Sequence, residues 1–207
     1  MRNFNNADYQ AQLATKIAEL EQSSQIEAVV LIKNKSANYE DVPMGLGAIF
    51  LLLAFSILFF VEAEIEVYLL YFSSLLAFAF GVLLGLIPII QNLLTGKKRK
   101  TRNVEIMARA LFQKGGLHHT STKIGTLIYF SLLEKMAYIL PDRGAEMAIP
   151  VEEWQKLNQQ FQAVFSAKKP NEALLLALEN CKETFKLYIP ALEINVNELP
   201  DDLKVDL

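Results

Sequence analysis

Two long uncharged runs, separated by a short acidic segment, constrain the fold of this 207-residue chain more than any other feature. The first run extends from Met44 to Val61 and the second from Val67 to Ile90. Each can cross a hydrocarbon core of about 30 Å, because a helix rises about 1.5 Å per residue. A helical hairpin buried in a soluble protein is the alternative, but two adjacent runs of this length are typical of membranes. The sequence therefore predicts a two-helix transmembrane hairpin over residues 44–91.

The charges around the two runs predict the orientation of the hairpin. The segment between the runs carries three glutamates and no Lys or Arg, whereas a basic cluster follows the second run. Because cytoplasmic loops are enriched in Lys and Arg, we expect both termini and the soluble part to be cytoplasmic, at the inner membrane. Such a cluster also suits nucleic acid, but beside a membrane exit it is better explained by topology and by contact with lipid headgroups. The basic cluster comprises Lys97, Lys98, Arg99, Lys100 and Arg102.

Composition excludes several classes of function. The formal net charge of −3 and the isoelectric point of about 5.5 argue against general nucleic-acid binding. The single cysteine, Cys181, excludes an internal disulfide and fits a reducing compartment. The polar residues 1–25 lack the features of a signal peptide, so the hairpin itself is expected to direct membrane insertion.

Outside the hairpin, the hydrophobic pattern predicts alternating helices and strands. The strand at Ile26–Lys33 can find partners only in the two strands beyond residue 125, which are joined by a tight turn of Leu133 and Glu134. The predicted fold is a layered α/β/α domain with a small mixed sheet, interrupted by the hairpin. Its parts are residues 1–43, 44–91 and 92–207. The other predicted elements are helices at 7–22, 104–114, 150–165 and 174–185 and strands at 125–132 and 135–140.

Between Ala110 and Phe165, a threonine, a basic residue and a glycine precede the first strand of a hairpin, an Asp and a Gly follow the second strand, and a tryptophan lies downstream. These positions are Thr120, Lys123, Gly125, Leu127–Ser131, Glu134–Lys135, Asp142, Gly144 and Trp154. With this pattern, the segment resembles the TPM-domain family, which includes thylakoid-lumen proteins of photosystem II repair and bacterial membrane proteins of unknown role. The Asn197–Pro200 segment is similar to the end of membrane-anchored bacterial members. Family members with reported phosphatase activity or calcium binding have an acid-rich loop after the first strand, whereas here that loop keeps only Glu40 and Asp41.

Asp142 is the best candidate for chemistry, because it follows a predicted strand at an edge where open α/β sheets commonly build their sites. It can equally accept hydrogen bonds within a turn in which Gly144 supplies a positive φ. Lys123 can pair with Asp142, hold an anion or remain a solvated loop residue. His118 and His119, with Asp142, are weak candidates for a metal site, since adjacent histidines point in different directions. No cofactor is expected; calcium or another divalent cation is the alternative.

Two other residues lack the surroundings of a nucleophile. Ser131 lies at a strand end, and Cys181 lies on the apolar face of a helix, where it is expected to be a small core residue. The second membrane helix carries a stripe of small residues that allows close helix approach. Its partner is either the first helix of the same chain or another membrane protein. The stripe comprises Ser73, Ala77, Gly81 and Gly85.

These features predict a membrane-anchored, cytoplasm-facing binding or assembly module that serves membrane-protein maintenance or envelope homeostasis. Membrane lipid and another membrane-associated protein are its expected partners, and nucleic acid is not. A phosphohydrolase that uses Asp142 with a divalent cation is one alternative. An auxiliary subunit of a transporter or channel is another.

Overall fold

The computed structural model describes residues 7–61, 66–117 and 123–191. The chain divides into two compact units, which we call the sheet unit and the hairpin unit. The sheet unit contains Met1–Ser36 and Thr101–Leu207, and the hairpin unit contains Ala37–Lys100. The boundaries drawn from the sequence, at 43/44 and 91/92, fall a few residues inside the hairpin unit.

The described helices and strands follow the hydrophobic pattern closely. The helices are α1 (Ala7–Ser23), α2 (Asp41–Phe60), α3 (Val67–Gly85), α4 (Pro88–Leu94), α5 (Lys97–Lys114), α6 (Arg143–Ala148), α7 (Val151–Ala163) and α8 (Pro170–Tyr188). The strands are β1 (Ala28–Lys33), β2 (Thr126–Ser131) and β3 (Met136–Pro141). A short 3₁₀ turn, Val164–Ser166, follows α7.

The described strands form one mixed sheet in the order β1-β2-β3. β1 pairs in parallel with β2, with Ala28 opposite Thr126 and Lys33 opposite Ser131. β2 pairs with β3 in antiparallel register, with Ser131 opposite Met136. This pairing confirms the predicted mixed sheet, and it confirms that the first strand joins the two strands beyond residue 125.

Apolar side chains cover both faces of the sheet. On one face, Ile128 and Phe130 pack in a cluster with residues of α1, α7 and α8, including Leu20 and Phe185. On the other face, Leu127 and Tyr129 pack with residues of α5. All six residues of β2 are buried, as a central strand between two helical layers requires. The α/β/α layering is therefore confirmed.

Two details of the strands differ from the prediction. β1 begins at Ala28 rather than Ile26, because Ser24 forms a bridge with Pro190 and its hydroxyl accepts from the N–H of Ile26 at 3.3 Å. The β2–β3 turn has four residues rather than two. Neither central residue of the predicted turn favours a positive φ, and the chain adopts one at Lys135 instead, with φ 52°. The N–H of Leu132 continues the parallel ladder to the carbonyl of Lys33 at 2.9 Å.

In the hairpin unit, α2 and α3 correspond to the two apolar runs, but the second run is not one helix. α3 ends at Gly85, and Ile87 is extended before Pro88 opens α4. The prediction of a continuous helix to Ile90 was therefore wrong. A proline lacks the N–H that would continue the helix, and it disfavours helical geometry in the residue before it.

We expect the sheet unit to fold without the hairpin unit, but not without β1. Replacing residues 37–100 with a Gly/Ser linker should give a domain that unfolds cooperatively in urea, followed by circular dichroism. Residues 101–207 alone should lose about 5 kcal/mol of stability or more, because they lack Leu20, Ile26 and Val29, all buried. Each such side chain contributes about 1.5–3 kcal/mol, and a whole domain has only about 5–15 kcal/mol. Equal stability of the two proteins would contradict this role of β1.

Candidate functional site

A cleft of about 440 Å³ lies in the sheet unit beside β3. Residues of four elements line it, namely α5, β3, α6 and α7. Because β3 is a strand, its successive side chains point to opposite faces of the sheet. Tyr138 and Leu140 pack with the α5 cluster, whereas Ile139 belongs to the cluster formed with α7 and α8. The cleft therefore extends across the outer edge of the sheet, with α5 on one side and α7 on the other.

Two buried polar atoms in the wall of the cleft have no hydrogen-bond partner among the described residues. They are the indole Nε1 of Trp154 and the side-chain oxygen Oδ1 of Asn158, one helical turn apart on α7. The Trp154 ring is held by Phe185, with ring centroids 5.7 Å apart. An indole N–H donates and an amide oxygen accepts. Beside the cleft, therefore, one donor and one acceptor are left unsatisfied by the described residues.

The charged group on the α5 side of the cleft is already paired. The Arg109 guanidinium donates from Nη2 and Nε to Glu105 Oε1, at 2.9 and 3.2 Å. Burial and then the Glu105 carboxylate raise the pKa of Tyr138, which also interacts with Arg109, so its phenol is neutral at physiological pH. Since Glu105 offsets the charge of Arg109, the cleft is not built to concentrate anions.

Asp142 lies at the end of β3 and caps the N-terminus of α6. Its Oδ1 accepts from the backbone N–H of Arg143 at 2.8 Å, whereas its Oδ2 is buried without a partner among the described residues. Gly144 does not have a positive φ; it lies within α6, and its N–H donates to the carbonyl of Lys123 at 2.7 Å. The predicted glycine turn was therefore wrong. The left-handed residue is Lys123 itself, with φ 57°.

The described residues contain no group of three or more His, Cys, Asp or Glu side chains that could hold a metal ion. His118 and His119 lie outside the described residues. Cys181 is fully buried, and this burial raises the pKa of its thiol because it disfavours the charged thiolate. It is therefore a residue of the core.

A buried polar cluster at the carboxyl ends of β1 and β2 was not predicted. The Ser36 hydroxyl donates to Ser131 Oγ at 2.7 Å and lies 2.9 Å from the Tyr129 hydroxyl. The Glu134 carboxylate accepts from the Ser36 N–H at 2.9 Å and from the Ser131 hydroxyl. All four residues are at most 5% exposed, so a substrate cannot reach Ser131. The cluster fixes the turn after β2 to the point where the chain leaves β1.

In the hairpin unit, two members of the basic cluster bind residues of α2 and α4. Arg99 makes a bidentate pair with Asp41 at the start of α2, with Nη2 to Oδ1 at 2.7 Å, and lies 5.1 Å from the Tyr39 ring. Lys100 donates to the carbonyl and the side-chain oxygen of Asn92, at 3.0 and 2.9 Å. Lys97, Lys98 and Arg102 are exposed.

The small residues of α3 lie against α2 at two points. A Cβ built on Gly81 would be 2.7 Å from the Leu46 carbonyl oxygen, and one on Gly85 would be 2.3 Å from Pro43 Cα. Gly47 of α2 is equally close to α3, with 2.7 Å to Val82 Cγ2, although the sequence analysis had not singled it out. Closer to the N-terminus of α3, the buried serine is Ser74 rather than Ser73.

The other two members of the predicted stripe are less enclosed. Ser73 and Ala77 are half-buried, and the Ser73 hydroxyl donates to the Leu70 carbonyl of its own helix at 3.1 Å. The buried residues Ser74, Gly81 and Gly85 are separated by seven and then four residues. Because a helix has 3.6 residues per turn, seven residues fall just short of two turns and four residues exceed one turn, so the three residues stay on one face. Repeated four-residue steps drift around the helix instead.

The family model of the TPM domain matches residues 89–184, which include α5, the β2–β3 hairpin, α6, α7 and most of α8. The chain carries a TPM domain. This match confirms the resemblance, and β1 precedes the matched segment although it belongs to the same sheet. The NMR structure of the BA42 protein from the psychrophilic bacterium Bizionia argentinensis is similar, with a TM-score of 0.58. The alignment covers 97% of this chain and 94% of that chain at 16% identity, so the likeness shows the fold alone. Comparison with curated proteins gives no match.

Within the TPM domain, the residues that carried the resemblance have structural roles. Gly125 approaches the Leu117 carbonyl oxygen so closely that a Cβ would lie 2.5 Å from it. Glu134 belongs to the buried polar cluster, Asp142 caps α6, and Trp154 lines the cleft. Thr120 lies outside the described residues. Of these residues, only Trp154 and Asp142 leave a buried polar atom without a partner among the described residues.

The close contacts of α2 and α3 give a test with a matched control. Gly81→Leu and Gly85→Leu should lower the thermal unfolding temperature of the purified protein in detergent, because overpacking costs about 1–3 kcal/mol. Gly45→Leu should have little effect, since a Cβ at Gly45 meets nothing within 4 Å. The size of the protein–detergent complex should not change. Equal effects at all three glycines would contradict the packing described here.

Proposed function

We propose that this chain is a membrane-anchored TPM domain that faces the cytoplasm and binds a protein partner, in membrane-protein maintenance or envelope homeostasis. The observation that carries the anchor is the exposure of α2 and α3. Only 11% of the most apolar window of each helix is buried. A core helix of a soluble protein would be mostly buried, and large apolar side chains on the surface need lipid or protein to cover them.

Charge supports the proposed orientation. Arg99 of the basic cluster lies at the end of the hairpin unit where α2 begins, because it pairs with Asp41. Glu66 lies at the opposite end of the hairpin, before α3. Cytoplasmic enrichment of Lys and Arg then favours a cytoplasmic position for this end of the hairpin, with exposed Lys98 available to anionic headgroups.

The cleft supports binding rather than hydrolysis. Its wall combines apolar and aromatic side chains with polar ones, and two of the lining residues, Trp154 and Asn158, each have a polar atom without a partner among the described residues. Ser131 and Cys181 are fully buried, so neither can act as a nucleophile on an external substrate. A cation-dependent phosphohydrolase would use several converging carboxylates, and the described residues bring no such group to Asp142. Gly81 and Gly85, whose alternative partner was another membrane protein such as a transporter or channel, are in contact with α2.

The anchor and its orientation are tested together. The full chain should stay in the membrane pellet after alkaline carbonate extraction, and the variant with residues 37–100 replaced by a linker should be released. In intact cells, a membrane-impermeant maleimide should label Glu64→Cys and not Lys168→Cys. Permeabilised cells, in which both variants should react, provide the control. The reverse pattern in intact cells would place the TPM domain outside the cytoplasm.

We expect negligible phosphatase turnover from the purified chain. The carboxylates that a metal phosphatase needs are not assembled around Asp142 in the described structure. Release of phosphate from p-nitrophenyl phosphate, with and without Ca²⁺ or Mg²⁺, should not exceed that of Asp142→Asn. Turnover that requires a divalent cation and disappears in Asp142→Asn would favour the phosphohydrolase.

A further inference from the structure

β3 forms an edge of the described sheet, and its backbone shows which groups face outward. The N–H of Asp142 donates to the Gly125 carbonyl at 2.7 Å, toward β2. The N–H of Ala137 donates instead to the side-chain Oε1 of Gln162 at 3.0 Å, away from β2. Backbone groups of a strand alternate between its two sides. The odd-numbered residues Ala137, Ile139 and Pro141 therefore turn their hydrogen-bonding groups outward.

Pro141 agrees with this assignment. A proline has no N–H, so in a sheet it is tolerated where the missing donor would face away from the neighbouring strand. Pro141 still lies opposite Thr126 in the register of β2 and β3. The position of the proline and the two hydrogen bonds thus assign the same outward side of β3.

Gln162 occupies the first part of this edge as a neighbouring strand would. Its side-chain amide donates from Nε2 to the Lys135 carbonyl at 2.8 Å and accepts from the Ala137 N–H. A backbone peptide group of an added strand offers the same donor and acceptor. The edge is therefore already paired with an amide at one end.

Beyond Gln162, the edge opens into the cleft. The next outward groups are the carbonyl of Ala137 and the N–H and carbonyl of Ile139, and Ile139 lines the cleft. The unpaired Nε1 of Trp154 and Oδ1 of Asn158 lie in its α7 wall. This stretch, from Ala137 to Pro141, is five residues long, so an added extended chain would pair with it over about five residues.

We propose that the cleft binds an extended peptide segment of a partner protein, which adds to the outer edge of β3 as a further strand between α5 and α7. This inference rests on the proposed binding function but does not depend on the membrane anchor. Main-chain hydrogen bonds to Ile139 supply the part of the affinity that does not depend on the peptide's sequence, as in other cases of strand addition. Alternate side chains of the peptide contact Tyr138 and Leu140 on one side and Trp154 on the other. Apolar residues at alternate positions are therefore preferred.

The test begins with a defined probe, a phage-displayed library of random 12-residue peptides selected on the full-length chain in detergent. Selected peptides are synthesised, and their dissociation constants are measured by fluorescence anisotropy. Asn158→Trp, which fills the cleft, should weaken binding at least about tenfold. Gln159→Trp, on the exposed neighbouring position of α7, should change it less than about twofold. Each backbone nitrogen of the peptide is then methylated in turn. Methylation should abolish binding only at every second residue, because only every second N–H group of the peptide faces the edge of β3.

Hydrogen exchange of the unsubstituted protein gives a readout that does not depend on a variant. In the free chain, the Ile139 amide should exchange faster than those of Tyr138 and Leu140, which face β2. A selected peptide should slow exchange at Ile139 and leave the other two unchanged. Exchange at Ile139 as slow as at Tyr138 in the free chain would show that the edge is closed, and would overturn the proposal.

Cross-linking in native membranes separates this inference from the proposed function. A partner that cross-links to the wild-type chain, but not to Asn158→Trp, supports both. A partner that is retained by Asn158→Trp, or selected peptides that are insensitive to N-methylation, leaves the binding function intact and overturns the strand-addition site. If no peptide is selected and no partner cross-links, both proposals fail.

Discussion

The parallel ladder between β1 and β2 makes one domain out of two separated stretches of chain. Ala28 lies opposite Thr126 and Lys33 opposite Ser131, and residues 34–125 form the connection between the two strands. Without this pairing, β2 would lose a neighbour on one side while all six of its residues are buried. The burial of α1 against α8, the outward direction of β3 and therefore the cleft all depend on β2 being central. Two neighbouring parallel strands need a long crossover connection, and the hairpin unit forms part of the connection between β1 and β2.

The elements that the sequence predicts well are those with long, uniform patterns. α1, α7 and α8 have apolar residues at helical spacing, and the strands are rich in β-branched and aromatic residues, so local composition and tertiary burial agree. The errors lie where one residue competes with a pattern. Pro88 lies within the second uncharged run, and a prediction based on hydropathy alone takes no account of its missing N–H. That missing donor is the reason that α3 ends before Pro88. Gly144 suggested a turn, yet the Asp142 side chain at a helix start accepts from the next N–H and begins α6.

The candidate site was less predictable, because its residues are brought together by tertiary structure. Trp154 was noted in a predicted helix and in the family resemblance but not as a site residue, and Asn158 and Arg109 carry no local signal at all. The cleft arises because α5 and α7 pack on opposite faces and leave the edge of β3 between them. In the sequence, Gln162 is an ordinary polar residue of an amphipathic helix. Only the structure shows that its amide bonds to the backbone of β3. The buried cluster likewise joins Ser36 to Glu134, which are 98 residues apart in the sequence.

The same long connection between β1 and β2 orders events during synthesis. β1 leaves the ribosome roughly 100 residues before β2 does, which corresponds to about 5–20 s at about 5–20 residues per second. During that interval β1 has its apolar side chains and unpaired backbone groups but no partner strand, whereas the whole of the hairpin unit has already been made. The nascent TPM domain therefore exposes an incomplete sheet edge for seconds. Its yield in cells should depend on how well that edge is protected until β2 arrives.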